Sequence, residues 1–329
     1  MGFSINSILK IGKHKMKNFA IIFPGQNSQS IGMLQDLNKD YPLVKETFME
    51  SSDILGYDLW QLIQKGPKSE LNKTWKTQPI ILSASVAIFK IWQTIGKLPV
   101  FMAGHSLGEY SALVCANVID FKTAIKLVET RGYLMQEAIP IGTGAMYAII
   151  GLEHILVAEC CKKISKINQL VSIANYNSID QVVIAGEKNA VKKTANLCKT
   201  LGAKHVLPLN VSAPSHCALM LPAAKKLAKI LEKIIFNTPT IPIINNVDVK
   251  IEFSIKNIRN ALVRQLYNPV RWVEIIEYII QQGINNFIEI GPGNILSNLI
   301  KNVKNIQNII SINNRISLNS ALLYYTGKK

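Results

Sequence analysis

A serine flanked by glycines is the first feature of this chain whose residue types and spacing could do chemistry. Residues 104–108 are Gly-His-Ser-Leu-Gly, which matches G-x-S-x-G, a turn that exposes a serine between a strand and a helix. The short apolar segment 99–103 predicts a buried strand before the turn, and the small residues of 109–116 predict a helix after it. The N–H groups at the start of that helix would face whatever is bound to Ser106. We therefore predict that Ser106 is a nucleophile; the alternative is an ordinary tight turn.

A serine nucleophile needs a general base, and histidine is the usual one. His216 is the best candidate among the five histidines, because it follows a predicted strand end, where parallel α/β sheets place their sites. A structural role for His216, capping the helix that follows, is the alternative. The other four lie in the N-terminal segment, beside Ser106 on a turn that points neighbours apart, or within residues 141–210: His14, His105, His154 and His205.

A hydrolytic triad would also need an acid between the serine and the histidine in chain order. No Asp or Glu stands at a predicted strand end in that interval: Asp180 lies in a hairpin, and Asp248 comes after His216. A backbone carbonyl can instead hold an imidazole by accepting its other N–H. The missing acid therefore argues against an ordinary α/β-hydrolase, but not against a Ser–His pair.

Arginine is rare in this chain and lysine is abundant, so each arginine is a candidate for a position that lysine cannot fill. The planar guanidinium grips a carboxylate through two parallel hydrogen bonds, whereas lysine offers only a point charge. Arg131 lies on the helix predicted over 121–138, and a site for a carboxylate-bearing acyl group would need such a residue. The alternative, a structural salt bridge, applies more readily to Arg259, Arg264, Arg271 and Arg315.

The segments around these residues alternate between predicted strands and helices. Strands are predicted over 19–23, 99–103, 243–246 and 287–290, and helices over 41–62, 77–95 and 121–138. This alternation indicates an α/β fold with a mainly parallel sheet. The tail after Ile312 is polar and shows little pattern.

Residues 141–210 show a different order of elements. Strands are predicted over 144–150, 171–176, 181–186 and 204–209, and helices over 153–164 and 189–201. This β-α-β-β-α-β order is that of a ferredoxin-like unit. We therefore expect a catalytic α/β domain made of residues 16–140 and 211–329, a small ferredoxin-like subdomain over 141–210 inserted into it, and an N-terminal extension over 1–15 outside the fold.

Composition limits the classes of protein to which the chain can belong. Its 329 residues are 48% hydrophobic and 18% charged, which is typical of a globular protein, and no apolar run is long enough to span a bilayer. The five cysteines are odd in number and lack paired metal-ligand spacing, so we expect free thiols in a reducing compartment, the cytoplasm.

The net charge of +16 would suit an acidic partner. Lysine, asparagine and isoleucine are also the residues that an A/T-rich genome favours, so coding bias is a competing explanation. The lysines are spread along the chain rather than gathered in a stripe with aromatic residues, which argues against nucleic-acid binding.

Seven short blocks in this chain occur together, in order, in one known family. The blocks are FPGQNSQ (23–29), GHSLGEYSAL (104–113), RG with MQ (131–136), NYNS with QVVIAG (175–186), VSAPSH (211–216), QLYNPVRW (265–272) and GPG (291–293). Over residues 19–303 the chain resembles the malonyl-CoA:acyl carrier protein transacylases of type II fatty acid synthesis. The resemblance implies an α/β-hydrolase-like core with an inserted ferredoxin-like subdomain.

The resemblance also implies a reaction. Ser106 would attack the malonyl thioester, and His216 would take its proton and later return it to the leaving thiol. The malonyl-serine intermediate would then pass its acyl group from malonyl-CoA to the phosphopantetheine thiol of acyl carrier protein. The carrier is acidic, which gives the positive charge a use. We expect a monomer that needs no metal ion or other cofactor.

Further residues gain roles only through the resemblance. The backbone N–H groups of Gln26 and Leu107 would form the oxyanion hole, and Arg131 would hold the malonyl carboxylate in a bidentate pair. The main-chain carbonyl of Gln265 would orient His216 in place of an acid. The family usually has glycine where this chain has Asn27; if that position needs a positive φ, asparagine is the least costly replacement.

Two other functions remain open from the sequence. A serine hydrolase or thioesterase would share the nucleophile and base but must admit water, and it would gain nothing from a cation at Arg131. A non-catalytic module that binds anions or nucleic acid would not need the turn at Ser106.

Overall fold

The elements of the chain follow an α/β order, which confirms the predicted fold class. The computed structural model describes residues 17–140, 142–167, 169–209 and 213–326. The predicted extension over 1–15, and residue 211 at which the α/β domain was expected to resume, lie outside these residues. No helix in the described ranges is long and apolar enough to cross a membrane.

The described residues form nine strands and fourteen α-helices. The strands are β1 (Ala20–Phe23), β2 (Phe101–Gly104), β3 (Gly144–Ile150), β4 (Val171–Ser178), β5 (Gln181–Glu187), β6 (His205–Pro208), β7 (Ile243–Ile244), β8 (Asn286–Ile290) and β9 (Asn308–Ile312). The helices are α1 (Gln35–Asp40), α2 (Leu43–Leu55), α3 (Leu59–Lys65), α4 (Lys68–Leu71), α5 (Thr74–Ile95), α6 (Leu107–Cys115), α7 (Phe121–Glu137), α8 (His154–Ile164), α9 (Lys188–Thr200), α10 (Leu221–Leu231), α11 (Ile255–Gln265), α12 (Trp272–Gln281), α13 (Ile295–Ile300) and α14 (Arg315–Thr326).

Five strands form a parallel sheet that is buried on both faces. Their order is β7-β2-β1-β8-β9, and every neighbouring pair is parallel. Side chains alternate along β1, so that Ile21 packs with α5 on one face while Ile22 packs with Trp272 of α12 on the other. The carboxyl ends of β1 and β2, at Phe23 and Gly104, pair directly and place their following loops side by side. This edge of the sheet is where an open α/β fold positions a site.

The other four strands form an antiparallel sheet in the order β4-β5-β3-β6. With α8 and α9 they make the β-α-β-β-α-β unit, with its first and third strands adjacent in the centre of the sheet. Ile149 of β3 faces the two helices, whereas Met146 and Ala148 face the opposite way, towards the loop that contains His216. The fold class thus includes an inserted ferredoxin-like unit, whereas the bounds 141–210 stay a prediction.

Two details of the sequence analysis are wrong. The single helix expected over 41–62 is divided into α2 and α3, because Gly56 ends α2 at φ 79° and the Asp58 side chain caps α3 by accepting a hydrogen bond from the Gln61 N–H. The tail after Ile312 is not without pattern, since it forms α14. That helix buries Leu318, Ala321 and Tyr325 on one face, a helical spacing that is easily missed among polar residues.

Candidate active site

Ser106 lies in a sharp turn between β2 and α6. Its backbone has φ 53° and ψ −105°, which is outside the regions that residues with a side chain normally adopt. A Cβ on Gly104 would lie 1.9 Å from the Gly108 carbonyl carbon, and one on Gly108 would lie 2.0 Å from the Phe23 carbonyl oxygen. Both positions therefore require glycine, and the close packing they allow holds Ser106 at the carboxyl edge of the parallel sheet.

His216 contacts the serine directly. Its Nε2 lies 2.8 Å from Ser106 Oγ, and its Nδ1 lies 2.7 Å from the main-chain carbonyl oxygen of Gln265. Gln265 is the last residue of α11, where carbonyl groups lack partners within the helix. Because a carbonyl only accepts, Nδ1 holds the proton, and Nε2 is left to accept one from the serine. The carbonyl at the end of α11 thus supplies the hydrogen-bond acceptor that an acid supplies in a triad.

The electrostatic setting keeps His216 neutral. Burial lowers the pKa of His216 to about 3, and the nearby positive charge of Arg131 acts in the same direction. At neutral pH the imidazole is therefore uncharged, with its proton on Nδ1 and its Nε2 free to accept one.

Arg131 is fully buried beneath the serine. Its Nη1 donates to Gln78 Oε1 at 2.7 Å, and its Nη2 donates to Gln265 Oε1 at 2.9 Å and to Ser106 Oγ at 3.2 Å. Within the described ranges, no Asp or Glu oxygen lies within 4.0 Å of its guanidinium nitrogens. The guanidinium is thus held by neutral amides, with Nη2 directed at Ser106 Oγ and without an ion pair in the described residues.

The loop after β1 and the start of α6 border the same point. Gln26 lies in that loop, and Leu107 is the first residue of α6. Neither backbone N–H donates a hydrogen bond to another group in the part of the chain that the structure describes. Asn27 has φ 78°, so this position does adopt the left-handed conformation, and its N–H donates to Gln29 Oε1 at 2.9 Å.

A cavity of about 230 Å³ opens above Ser106 between the two sheets. The parallel-sheet side supplies Ser106, His216 and the loop around Gln26. The antiparallel sheet supplies Met146, Ala148, Asn175, Asn177, Gln181 and Val183. His105 Nε2 lies 2.9 Å from Asn177 Oδ1 and links the two sides at the cavity wall. The cavity has room for a small acyl group on the serine.

Comparison with known proteins identifies the family of this site. Residues 20–313 match the model of the acyl transferase domain family. The malonyl CoA-acyl carrier protein transacylase of Escherichia coli strain K12 is 56% identical over 308 residues, which are 93% of this chain and 99% of that protein. The chain belongs to the malonyl CoA-acyl carrier protein transacylase family.

Solved structures of transacylases agree with this assignment. An acyl carrier protein S-malonyltransferase from Vibrio cholerae is 56% identical, with a TM-score of 0.90 over 93% of this chain and 100% of that one. A malonyl-transacylase solved in complex with its type II PKS acyl-carrier protein is 59% identical, with a TM-score of 0.92 over 94% of this chain and 100% of that one. This transacylase is therefore an acyltransferase with the fold of these relatives.

The structure brings the sequence-predicted site residues together. Ser106, His216 and Arg131 are in mutual contact through Ser106 Oγ, and the Gln265 carbonyl meets His216. Leu107 follows the serine in the chain, and Gln26 lines the same cavity. The remaining arginines are elsewhere: Arg264, Arg271 and Arg315 form ion pairs with carboxylates, and Arg259 donates to a backbone carbonyl.

Sequence reasoning missed a set of buried side chains around the turn at Ser106. Asn246 accepts from the Ser106 N–H at 2.7 Å and donates to the Gly104 carbonyl at 2.7 Å, so it fixes the backbone of the turn on both sides of His105. Glu109 and the Gln265 side chain join this network. One signal was available: Asn246 is a polar residue placed just after β7, the neighbour of β2 in the sheet.

Proposed function

We propose that this transacylase moves malonyl from malonyl-CoA to the phosphopantetheine thiol of an acyl carrier protein, through a malonyl ester of Ser106. One observation supports the proposal above all. Ser106 Oγ lies 2.8 Å from a neutral histidine nitrogen and 3.2 Å from Arg131 Nη2, a buried cation that has no carboxylate partner in the described residues. The nucleophile thus stands between a base and a receptor for the carboxylate of the acyl group.

The first half-reaction forms the acyl-enzyme. Ser106 Oγ attacks the thioester carbonyl carbon while His216 Nε2 takes the hydroxyl proton, and the carbonyl oxygen becomes an oxyanion bound by the N–H groups of Gln26 and Leu107. Collapse of this intermediate breaks the carbon–sulfur bond, and His216 returns the proton to the CoA sulfur. CoA leaves as a thiol, and Ser106 holds malonyl as an ester.

The second half-reaction is the reverse with a different thiol. The carrier thiol gives its proton to His216 and attacks the ester carbonyl, and the same N–H groups bind the oxyanion. The carbon–oxygen bond to Ser106 then breaks, and the serine recovers its proton from His216. The products are a malonyl thioester of the carrier and the free enzyme.

Arg131 distinguishes malonyl from a plain acyl group. Acylation converts Ser106 Oγ, which accepts from Nη2, into an ester oxygen that is a weaker acceptor, so that this N–H can turn to the malonyl carboxylate. The buried setting strengthens this contact, because little water competes for it. An acetyl group would leave the cation unpaired in the same cavity.

The acidic carrier would meet a chain of net charge +16. We also propose that the chain acts as a monomer in the cytoplasm, as the family resemblance implies. Light scattering on the purified chain checks the monomer.

Labelling with malonyl-CoA tests the proposed function. The enzyme is mixed with [¹⁴C]malonyl-CoA without carrier, and we expect a stable adduct on a peptide that contains Ser106, which addition of holo carrier protein then discharges. Ser106→Ala is the control and should take up no label. Appearance of free malonate at the rate of CoA release would instead identify a thioesterase.

A further inference from the structure

Glu109 is a buried carboxylate next to the reacting groups, and the mechanism above does not use it. It lies on α6, three residues after the nucleophile, and is 4% exposed. In the described ranges the other buried carboxylate belongs to Glu289, which caps α13 by accepting from the N–H groups of Leu296 and Ser297. Glu109 caps nothing of that kind and faces inward, towards α11.

Its contacts fix the orientation of one amide. Glu109 Oε2 accepts from Gln265 Nε2 at 2.8 Å and from the Asn246 N–H at 3.1 Å. Gln265 Nε2 also donates to the Ser106 carbonyl oxygen at 3.0 Å. The nitrogen end of the amide thus faces acceptors, so its oxygen end must point the other way, where Oε1 accepts from Arg131 Nη2 at 2.9 Å.

We propose that Glu109 is a positioning residue for the choice of acyl group: its carboxylate holds the Gln265 amide so that Oε1 keeps the Arg131 guanidinium beside Ser106. The inference rests on the proposed function, in which Arg131 binds the malonyl carboxylate.

The arrangement has an electrostatic advantage over a direct ion pair. A carboxylate bonded to Arg131 itself would occupy the N–H groups that malonyl needs. With an amide between them, ionised Glu109 places a negative charge in the same buried layer and leaves the guanidinium open. The raised pKa of Glu109, about 7, comes chiefly from burial, while the Gln265 and Asn246 donors and the charge of Arg131 favour its ionised form and Asp248 opposes it.

The uncharged amide Glu109→Gln tests the proposal. Its amide oxygen can still accept from Gln265 Nε2 and the Asn246 N–H, but without a negative charge it holds the Gln265 amide more weakly, so that this amide can turn and direct its NH₂ at Arg131, donor against donor. We expect KM for malonyl-CoA in acyl-enzyme formation to rise about tenfold, as for loss of a hydrogen bond to a charged group. The kcat/KM for acetyl-CoA should change less than about twofold.

Glu129→Gln is the matched control. Glu129 lies on α7 with Arg131, is partly buried, and accepts a hydrogen bond from the Tyr57 hydroxyl at 2.9 Å, outside the network. It should leave the malonyl-to-acetyl ratio of kcat/KM unchanged. Glu109→Asp, which keeps a carboxylate, should recover most of the ratio that Glu109→Gln loses.

A double-mutant cycle shows whether Glu109 acts through Gln265. Gln265→Met removes the amide but keeps the main-chain carbonyl that orients His216. If Glu109 works through that amide, the two substitutions together should lower the ratio little more than either alone. Should Glu109→Gln fail to fold, Gln265→Met still decides the matter, since an unchanged ratio in that variant overturns the proposal.

The outcomes separate this inference from the function on which it rests. Equal loss of malonyl and acetyl transfer in Glu109→Gln, at unchanged KM, would show that Glu109 only supports the fold. A ratio that falls in Arg131→Ala but not in Glu109→Gln would overturn the role of Glu109 alone. A ratio unchanged in Arg131→Ala would overturn the proposed role of Arg131 itself.

Discussion

Two arginine sites on either side of α11 use the same side chain in opposite ways. At the surface, Arg264 is 30% exposed and grips Asp248 in a bidentate ion pair, with Nη1 2.8 Å from Oδ1. Inside, the amide oxygen of Gln265, the next residue of the helix, accepts a hydrogen bond from Arg131. Arg131 is fully buried and has no ion pair in the described residues. The accessible guanidinium is neutralised, and the inaccessible one is not.

The difference shows that the charge without an ion pair in the described residues is that of the buried Arg131 guanidinium. An ion pair at the surface contributes little to the free energy of unfolding. A buried unpaired charge is expensive, and such a charge is retained where something else will pair with it. Amides from α5 and α11 hold Arg131 in place without an ion pair, and in the proposed function the carboxylate of the acyl group supplies the missing partner.

The largest effect should come from removing the buried member of the comparison. Arg131→Ala should lower kcat/KM for malonyl-CoA by about 10² to 10³ fold, since truncation of one partner of a buried charge pair is that costly. Acetyl transfer should fall much less or rise. Stopped-flow measurement of acyl-enzyme formation with both substrates checks this.

Arg131→Lys refines the same experiment, because it keeps the charge but not the planar fork. It should lie between the wild type and Arg131→Ala in malonyl preference. Full activity with lysine would show that charge alone, and not bidentate geometry, selects malonyl.

A second effect reaches His216, whose pKa burial and Arg131 lower to about 3. An unfolded histidine titrates near 6.5, so below that pH the unfolded chain takes up a proton that the folded chain refuses. Stability is therefore lost as pH falls. From pH 6.5 to 5 the wild type should lose about 2 kcal/mol of unfolding free energy relative to His216→Gln.

The wild type must be compared with His216→Gln because Glu109 changes the unfolding free energy with pH in the opposite direction. Its raised pKa makes the folded chain bind a proton that the unfolded chain has released, which favours folding as pH falls through 7. Urea unfolding of wild type and His216→Gln at several pH values cancels this shared contribution. A difference that stays flat with pH would mean that His216 takes up a proton as readily in the folded chain as in the unfolded chain.

Sequence reasoning found the residues whose evidence is local. The glycines around Ser106 define its turn within five residues, and the scarcity of arginine drew attention to Arg131. His216 emerged by elimination, and the role of the Gln265 carbonyl came only from family resemblance. The mainly parallel sheet of the core follows from the alternation of strands and helices, whereas its strand order was not predicted.

The buried hydrogen-bond network around Arg131 could not be predicted from local sequence patterns. Arg131 meets Gln78 at a separation of 53 residues and Gln265 at 134, and an amide has no pattern that announces such a partner. Glu109 belongs to the family block at 104–113, but a carboxylate is common at the third position of a helix and so does not indicate a buried role. Glu109 meets Gln265 at the end of α11 and Asn246 after β7, and no local spacing in the sequence indicates these contacts.

A smaller effect is expected at the exposed arginine. Arg264→Ala should lower the unfolding free energy by less than about 1 kcal/mol, and less at high salt, because solvent and ions screen a partly exposed pair. The malonyl-to-acetyl ratio should stay at the wild-type value. If this variant changed the ratio as much as Arg131→Ala does, the two sites would not be independent.

The smallest effect concerns the backbone on the catalytic side. Asn27 adopts φ 78°, where asparagine is tolerated and glycine is unstrained, but glycine also gives the unfolded chain more freedom. These terms oppose each other, so Asn27→Gly should change the unfolding free energy by less than about 1 kcal/mol. Acylation rates should be unchanged, because the neighbouring N–H of Gln26 is positioned by a conformation that both residues adopt. A rate change above about tenfold would show that the Asn27 side chain itself takes part, and the proposed oxyanion hole would then need a side-chain donor as well as its two backbone donors.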